Sequence, residues 1–164
     1  MPANSFNRET TRDALATVLQ TALVGAGLPC DNVWNYLRGD ILDDSNVAPV
    51  AVAMVTSGPI TRERATFDAS WGVPVVALQV HVLVLYSSDD ATETTAATWT
   101  EAMSEDRLDL IEKEIADALM DNYGAITGVD YVAYAGPTVL DFVPIGGRLY
   151  RREIISLMGV QMHG

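Results

Sequence analysis

Val73-Pro74-Val75-Val76-Ala77-Leu78-Gln79-Val80-His81-Val82-Leu83-Val84-Leu85-Tyr86 runs for 14 residues without an acid, lysine or arginine. In an extended chain Val76, Leu78, Val80, Val82 and Val84 share one face. Val75, Ala77, Gln79, His81, Leu83 and Leu85 share the other. The pattern is the strongest strand signal in the chain. At roughly 3.3 Å per residue it would span about 46 Å, well beyond the usual five or six residues. Such a strand bends across its sheet or reaches past the domain to meet something else.

Upstream, Val47 to Thr56 is a near-continuous apolar run that reads as a second strand covered on both faces or nearly so. Pro49 is tolerated near its start. Residues 57–72 lie between the two runs, bounded by Gly58-Pro59 and Gly72, and are expected to project as a loop. Thr61 to Phe67 within them is either a further strand or one side of that loop. Further out, Leu15, Val18, Leu19, Ala22 and Leu23 make one apolar stripe and predict a helix from about Asn7 to Val24. Pro29 bars its continuation, and a short strand is expected from Asn32 to Arg38.

On the C-terminal side, Leu108, Ile111, Ile115, Ala118 and Leu119 keep helical spacing, with Ser104 as the expected N-cap and a shorter helical piece before it around Thr95 to Met103. Asp130 to Val143, interrupted near Gly136-Pro137, and Arg148 to about Met162 read as two strands, with a tight hairpin at Pro144-Ile145-Gly146-Gly147. The expected architecture is a single α+β domain over residues 1–164. Its antiparallel sheet comprises a meander plus a C-terminal hairpin, with two main helices packed on it.

The chain carries 22 acids against 10 bases, for a net charge of −12, and is 49% hydrophobic. That apolar fraction excludes a disordered chain. The acidity argues against gripping nucleic acid through its phosphates. No apolar run is long enough to predict a membrane span, and no secretory leader opens the sequence. The acid is concentrated: Asp89 to Asp121 holds 11 acids and only Arg107 and Lys113, a segment charge of −9. Glu105, Asp109, Glu112, Asp117 and Asp121 then form either the solvated face of a helix or an acidic surface such as a channel wall.

No motif for chemistry emerges. His81 and His163 have no ligand-spaced partners, and Cys30 stands alone, so no metal site, cofactor or disulfide is expected. No nucleophile elbow or phosphate loop is present, and no catalytic residue is assigned. Trp34, Tyr36, Trp71 and Trp99 are candidates to line a pocket, or else belong to the core. Arg62 and Arg64 share one face of an extended segment, and Arg148, Arg151 and Arg152, with Glu153 beside them, open the last strand. These are either surface residues in local ion pairs or one half of a head-to-tail subunit contact.

The order of elements, together with Gly146-Gly147-Arg148-Leu149-Tyr150-Arg151-Arg152-Glu153-Ile154-Ile155-Ser156-Leu157, resembles the tail terminator proteins of long-tailed bacteriophages. The resemblance implies a small α+β subunit that forms a homo-hexameric ring on the tail tube, stops its polymerisation and joins it to the head's connector proteins. DNA would pass through without specific binding. The implied location is the tail–neck junction of the virion, after assembly in the host cytoplasm. It carries over no catalytic residue and no cofactor. Neighbouring neck proteins, the head-side stopper and adaptor, are the nearest alternative. A small α+β enzyme or ligand-binding domain is the alternative from another class.

Overall fold

The computed structural model describes residues 7–39, 41, 49–61, 75–87 and 99–161. The order of elements is helix α1 (Arg8–Leu23), strands β1 (Asn32–Trp34), β2 (Ala51–Thr61) and β3 (Val75–Ser87), helix α2 (Glu101–Asp121), then β4 (Tyr131–Tyr134), β5 (Val139–Ile145) and β6 (Arg148–Val160). The α+β class is as expected, with both helices on one face of a six-stranded sheet of order β1-β2-β3-β6-β4 and β5 also paired to β6. The long apolar run of the sequence forms the sheet's centre. β3 pairs antiparallel with β2 on one side and with β6 on the other, Leu78 lying opposite Ser57 and Leu157.

The sheet departs from the expected all-antiparallel form at one edge. β1 lies parallel to β2, with Val33 opposite Ala53. The chain between them is long enough to return to the same end of the sheet, so a crossover replaces a hairpin. β1 is also shorter than expected, and Tyr36 lies beyond it. Residues 57–61 belong to β2 rather than to a projecting loop. Gly58-Pro59, which reads as a turn, is absorbed by a register shift between Ser57 and Ile60, where the strand carries its proline without breaking. Residues 62–72 of the expected loop lie outside the described residues.

The expected interruption near Gly136-Pro137 has a definite form. β4 and β5 run along the same flank of β6, β5 against Arg148–Ile154 and β4 against Leu157–Val160. Gly146 and Gly147 make a two-residue turn with φ of 58° and 77°, the left-handed pair that matches the twist of a hairpin.

Strand alternation divides the core in two. Toward the helices, Ala51, Ala53 and Val55 of β2, the even positions Val76 to Val84 of β3, and Ile155 and Leu157 of β6 pack under Leu15, Leu19 and Leu23 of α1 and Leu108, Ile111 and Ile115 of α2. On the opposite face Val52, Met54, Leu83, Leu85 and Tyr150 are buried together with Ile41. Tyr150 is fully buried and donates its hydroxyl to Pro49 O at 3.1 Å. Burial pushes that phenol up to about 12.

Helix α2 is capped four residues before the expected position. Thr100 takes that place, its hydroxyl accepting from Met103 N, and Ser104 is buried inside the first turn. Ser104 is used for tertiary structure instead. Its Oγ donates a short hydrogen bond to Leu85 O and accepts from Trp99 Nε1 at 2.8 Å.

Candidate functional site

The arginines that open β6 separate by the pleat. Arg151 points to the helix side, where its Nε lies 3.1 Å from Glu105 Oε1 of α2 and its guanidinium stacks 4.6 Å over Phe142 of β5. Arg152 points to the other face and grips Asp141 of β5 with two parallel hydrogen bonds, one at 2.8 Å. This planar fork on a carboxylate is the geometry for which arginine is suited. Arg152 accordingly holds the Asp141 carboxyl below its ordinary range. Both guanidinium groups therefore have partners within their own chain. Arg148 Nη1 approaches Gly146 O at 3.4 Å. Arg62 and Arg64 lie outside the described residues, as do Trp71 and His163.

Glu153 is buried on the helix side of β6, only 7% exposed. Burial pushes its carboxyl up, a Thr138 hydrogen bond opposes this, and Glu112 and Asp109 of α2 add to the rise while Arg151 lowers it. A carboxyl whose folded pKa exceeds its unfolded value stabilises the fold below the unfolded pKa and loses that contribution as pH rises through the folded one. Glu153→Gln should therefore flatten the decline in stability above pH 4.5, and leave the protein at least as stable at pH 7. Thermal melts of both proteins across pH 4–8 check this; a variant that melts much lower at pH 7 would refute it.

His81 lies on the opposite face, buried, with Nε2 3.2 Å from Gln79 Oε1. Burial first, and then Arg152, push its pKa down, so it is neutral near pH 7. Cys30 is buried and its thiol is pushed up to about 12, chiefly by burial, which leaves it unreactive as a nucleophile. Among the described residues no group of three His, Cys, Asp or Glu is placed to hold a metal ion. No helix among them is long and apolar enough to cross a membrane.

The acidic helix resolves into a gradient around its axis. Ser104, Leu108, Ile111, Ile115, Ala118 and Leu119 face the sheet. Asp109, Asp117 and Asp121 are exposed, Glu105 and Glu112 half-buried. Asp117 pairs with Lys113 at 2.7 Å, and Glu105 with Arg151. Of the aromatic residues considered for a pocket, Trp34 and Trp99 pack against the cores and Tyr36 is exposed. The groove between α1 and α2 is lined instead by Thr17, Thr21, Ala118, Asp121 and Asn122 among others.

Two features escaped sequence reading. One is the pairing of Arg152 with Asp141 and Arg151 with Glu105, which depends on strand register and helix placement. The other is the apolar edge formed by β5, where Val139, Leu140 and Phe142 are each about half exposed. Residues 139–142 fall within the strand expected from Asp130 to Val143, but nothing in them says that this strand lies at an edge. No protein-family model matches the chain, and no curated protein matches its sequence.

Proposed function

We propose that this protein is a structural component of a phage virion, a tail terminator that forms a ring on the end of the tail tube, stops its growth and joins it to the neck. The observation that carries the reading is the element order, with the segment Gly146 to Leu157 spanning the hairpin turn and most of β6. An α+β subunit whose sheet, among the described residues, ends in an unpaired edge on either side, and which carries an acidic helix, suits a ring of identical copies. Six copies at −12 each would carry −72, and carboxylates of α2 facing a channel would keep DNA off its wall. A head-side neck ring is the second reading, supported by the same features.

The test is mass measurement of the purified protein with and without tail-tube protein, together with the length of tubes formed in its presence. A hexameric mass on the tube and arrested growth are expected. Tubes of unchanged length with the protein unbound would overturn the terminator reading.

The arginines of β6 need a specific control. Reversing Arg151 and Arg152 to glutamate should weaken assembly, but it also sets carboxylates against Glu105 and Asp141. Adding Glu105→Arg and Asp141→Arg restores both pairs inside the chain. If ring assembly stays weak after this swap, the arginines act between subunits; full recovery assigns them to the fold alone.

A further inference from the structure

We infer that His81 is an acid-sensitive latch on β5: a proton on its ring competes with the Arg152–Asp141 pair, and β5 is released from β6 in mildly acidic solution. The inference is independent of the virion reading. His81 stands midway along β3 on the face away from the helices, 7% exposed, opposite Met54 of β2 and Ile154 of β6. Its Nε2 meets Gln79 Oε1 at 3.2 Å, whereas Nδ1 is buried with no hydrogen-bond partner. A neutral ring fits this site. Nε2 carries the proton and donates to Gln79, and Nδ1 is left as a bare lone pair. A second proton would place a donor on Nδ1 where nothing accepts it, and a full charge where water is excluded.

The charged groups around the ring decide what gives way. β2 presents Met54, whose Sδ accepts from the Arg38 amide while the Arg38 guanidinium lies over Trp34. β6 presents Arg152, two residues along the same face from Ile154, and β5 presents Asp141 opposite Arg152. Long side chains reach one another across such diagonals. Arg152 opposes a charge on the ring and Asp141 favours it, with burial the largest opposition. Among the described residues Asp141 is thus the carboxylate that can meet the imidazolium, and both its oxygens are already gripped by Arg152. Stabilising a charged His81 draws Asp141 off Arg152. β3 is held by β2 and β6, whereas among the described residues β5 is paired to β6 alone, so β5 yields first.

The sign follows from the lowered folded pKa of His81. The released chain takes up a proton near the ordinary 6.5 that the closed sheet refuses. Closure is therefore fully favoured above about 6.5 and weakens as pH falls through that value. Glu153 has the opposite sign, and Asp141, held below 3.8, loses its contribution only in stronger acid.

The test is native-state amide exchange at pH 7.5 and 5.5, corrected for the intrinsic pH dependence, on the wild type, His81→Gln and Arg152→Gln. In the wild type, protection of Val139–Ile145 should fall by up to about tenfold per pH unit, the effect of one proton taken up only on release, while β2 keeps its protection. His81→Gln should show the same β5 protection at both pH values. Arg152→Gln removes the opposing cation and frees Asp141, so the NMR titration midpoint of His81, identified as the ring signal missing from His81→Gln, should rise. That measurement stands even where His81→Gln fails to fold, since a shoulder near the end of the chain, His163, is then told apart by its insensitivity to Arg152. Unchanged β5 protection in the wild type overturns the inference, as does an equal acid loss in His81→Gln. Parallel loss from β2 and β5 would make His81 a load on the whole sheet rather than a latch, and an unmoved His81 midpoint in Arg152→Gln would uncouple it from the pair.

Discussion

Replacing Leu78 with alanine should lower folding stability by about 2–5 kcal/mol, the range for truncating a buried leucine that its surroundings cannot refill. Leu78 is fully buried at the middle of β3, between Ser57 and Leu157 on the flanking strands. Its neighbourhood has little capacity to collapse into the gap. A Cβ placed on nearby Gly159 would lie 3.6 Å from Leu78 Cδ1, but also 2.9 Å from Val129 Cγ1 and 3.1 Å from Val76 Cγ1. Those distances show that the space over Gly159 beside Leu78 is already filled by Val129 and Val76. Urea unfolding followed by circular dichroism measures the loss. A change below about 1 kcal/mol would mean that the helices do not seal the sheet there.

Trp99→Ala should cost about 3 kcal/mol, near the lower end for tryptophan because the ring is only partly buried. Trp99 packs against both hydrophobic clusters, so it acts at the place where the two cores approach one another. Its Nε1 donates to Leu85 O at 2.6 Å, and the Arg107 guanidinium lies 5.3 Å from its ring. Trp99→Phe separates packing from hydrogen bonding. The phenylalanine keeps most of the contact area, and Ser104 still donates to Leu85 O, so this variant should lose only about 0.5–1.5 kcal/mol. Equal losses from both variants would show that the hydrogen bond, not the ring, holds the start of α2 to β3.

The extent to which the fold could be read from the sequence follows the range of the forces involved. The alternation of Val76 to Val84 and the stripe Leu15, Leu19 and Leu23 are local patterns; they form a strand and a helix as expected, and both sets are buried. The Gly146-Gly147 turn is equally local. Ser104 failed as a cap because Thr100, four residues earlier, offers the same hydroxyl, and only the position of Leu85 O decides between them. Gly58-Pro59 failed as a turn because a bulge can hold the same residues while β2 continues toward Thr61. The parallel placement of β1 left no trace in its three residues.

The candidate surfaces were less legible still. Arg151 and Arg152 are adjacent in sequence, so an extended chain must send them to opposite faces. Nothing in the composition tells which carboxylate each will meet; Glu105 is 46 residues from Arg151. The acid of the segment from Asp89 to Asp121 was evident as a total of −9, whereas its division into exposed and paired carboxylates required α2 to be docked.

The place of β6 between β3 and the β4–β5 flank bears on how the molecule is made. A ribosome delivers β2 and β3 early, then α2, β4 and β5, and only afterwards the strand that joins them. Until β6 emerges, the longest apolar strand has one flank without its mate, and β4 and β5 have nothing to pair with. The two helices can shield one face of β3 during that interval but not its hydrogen-bonding edge. Synthesis rate and chaperone cover across residues 88–160 should therefore govern the yield of folded protein more than the thermodynamic stability of the finished sheet.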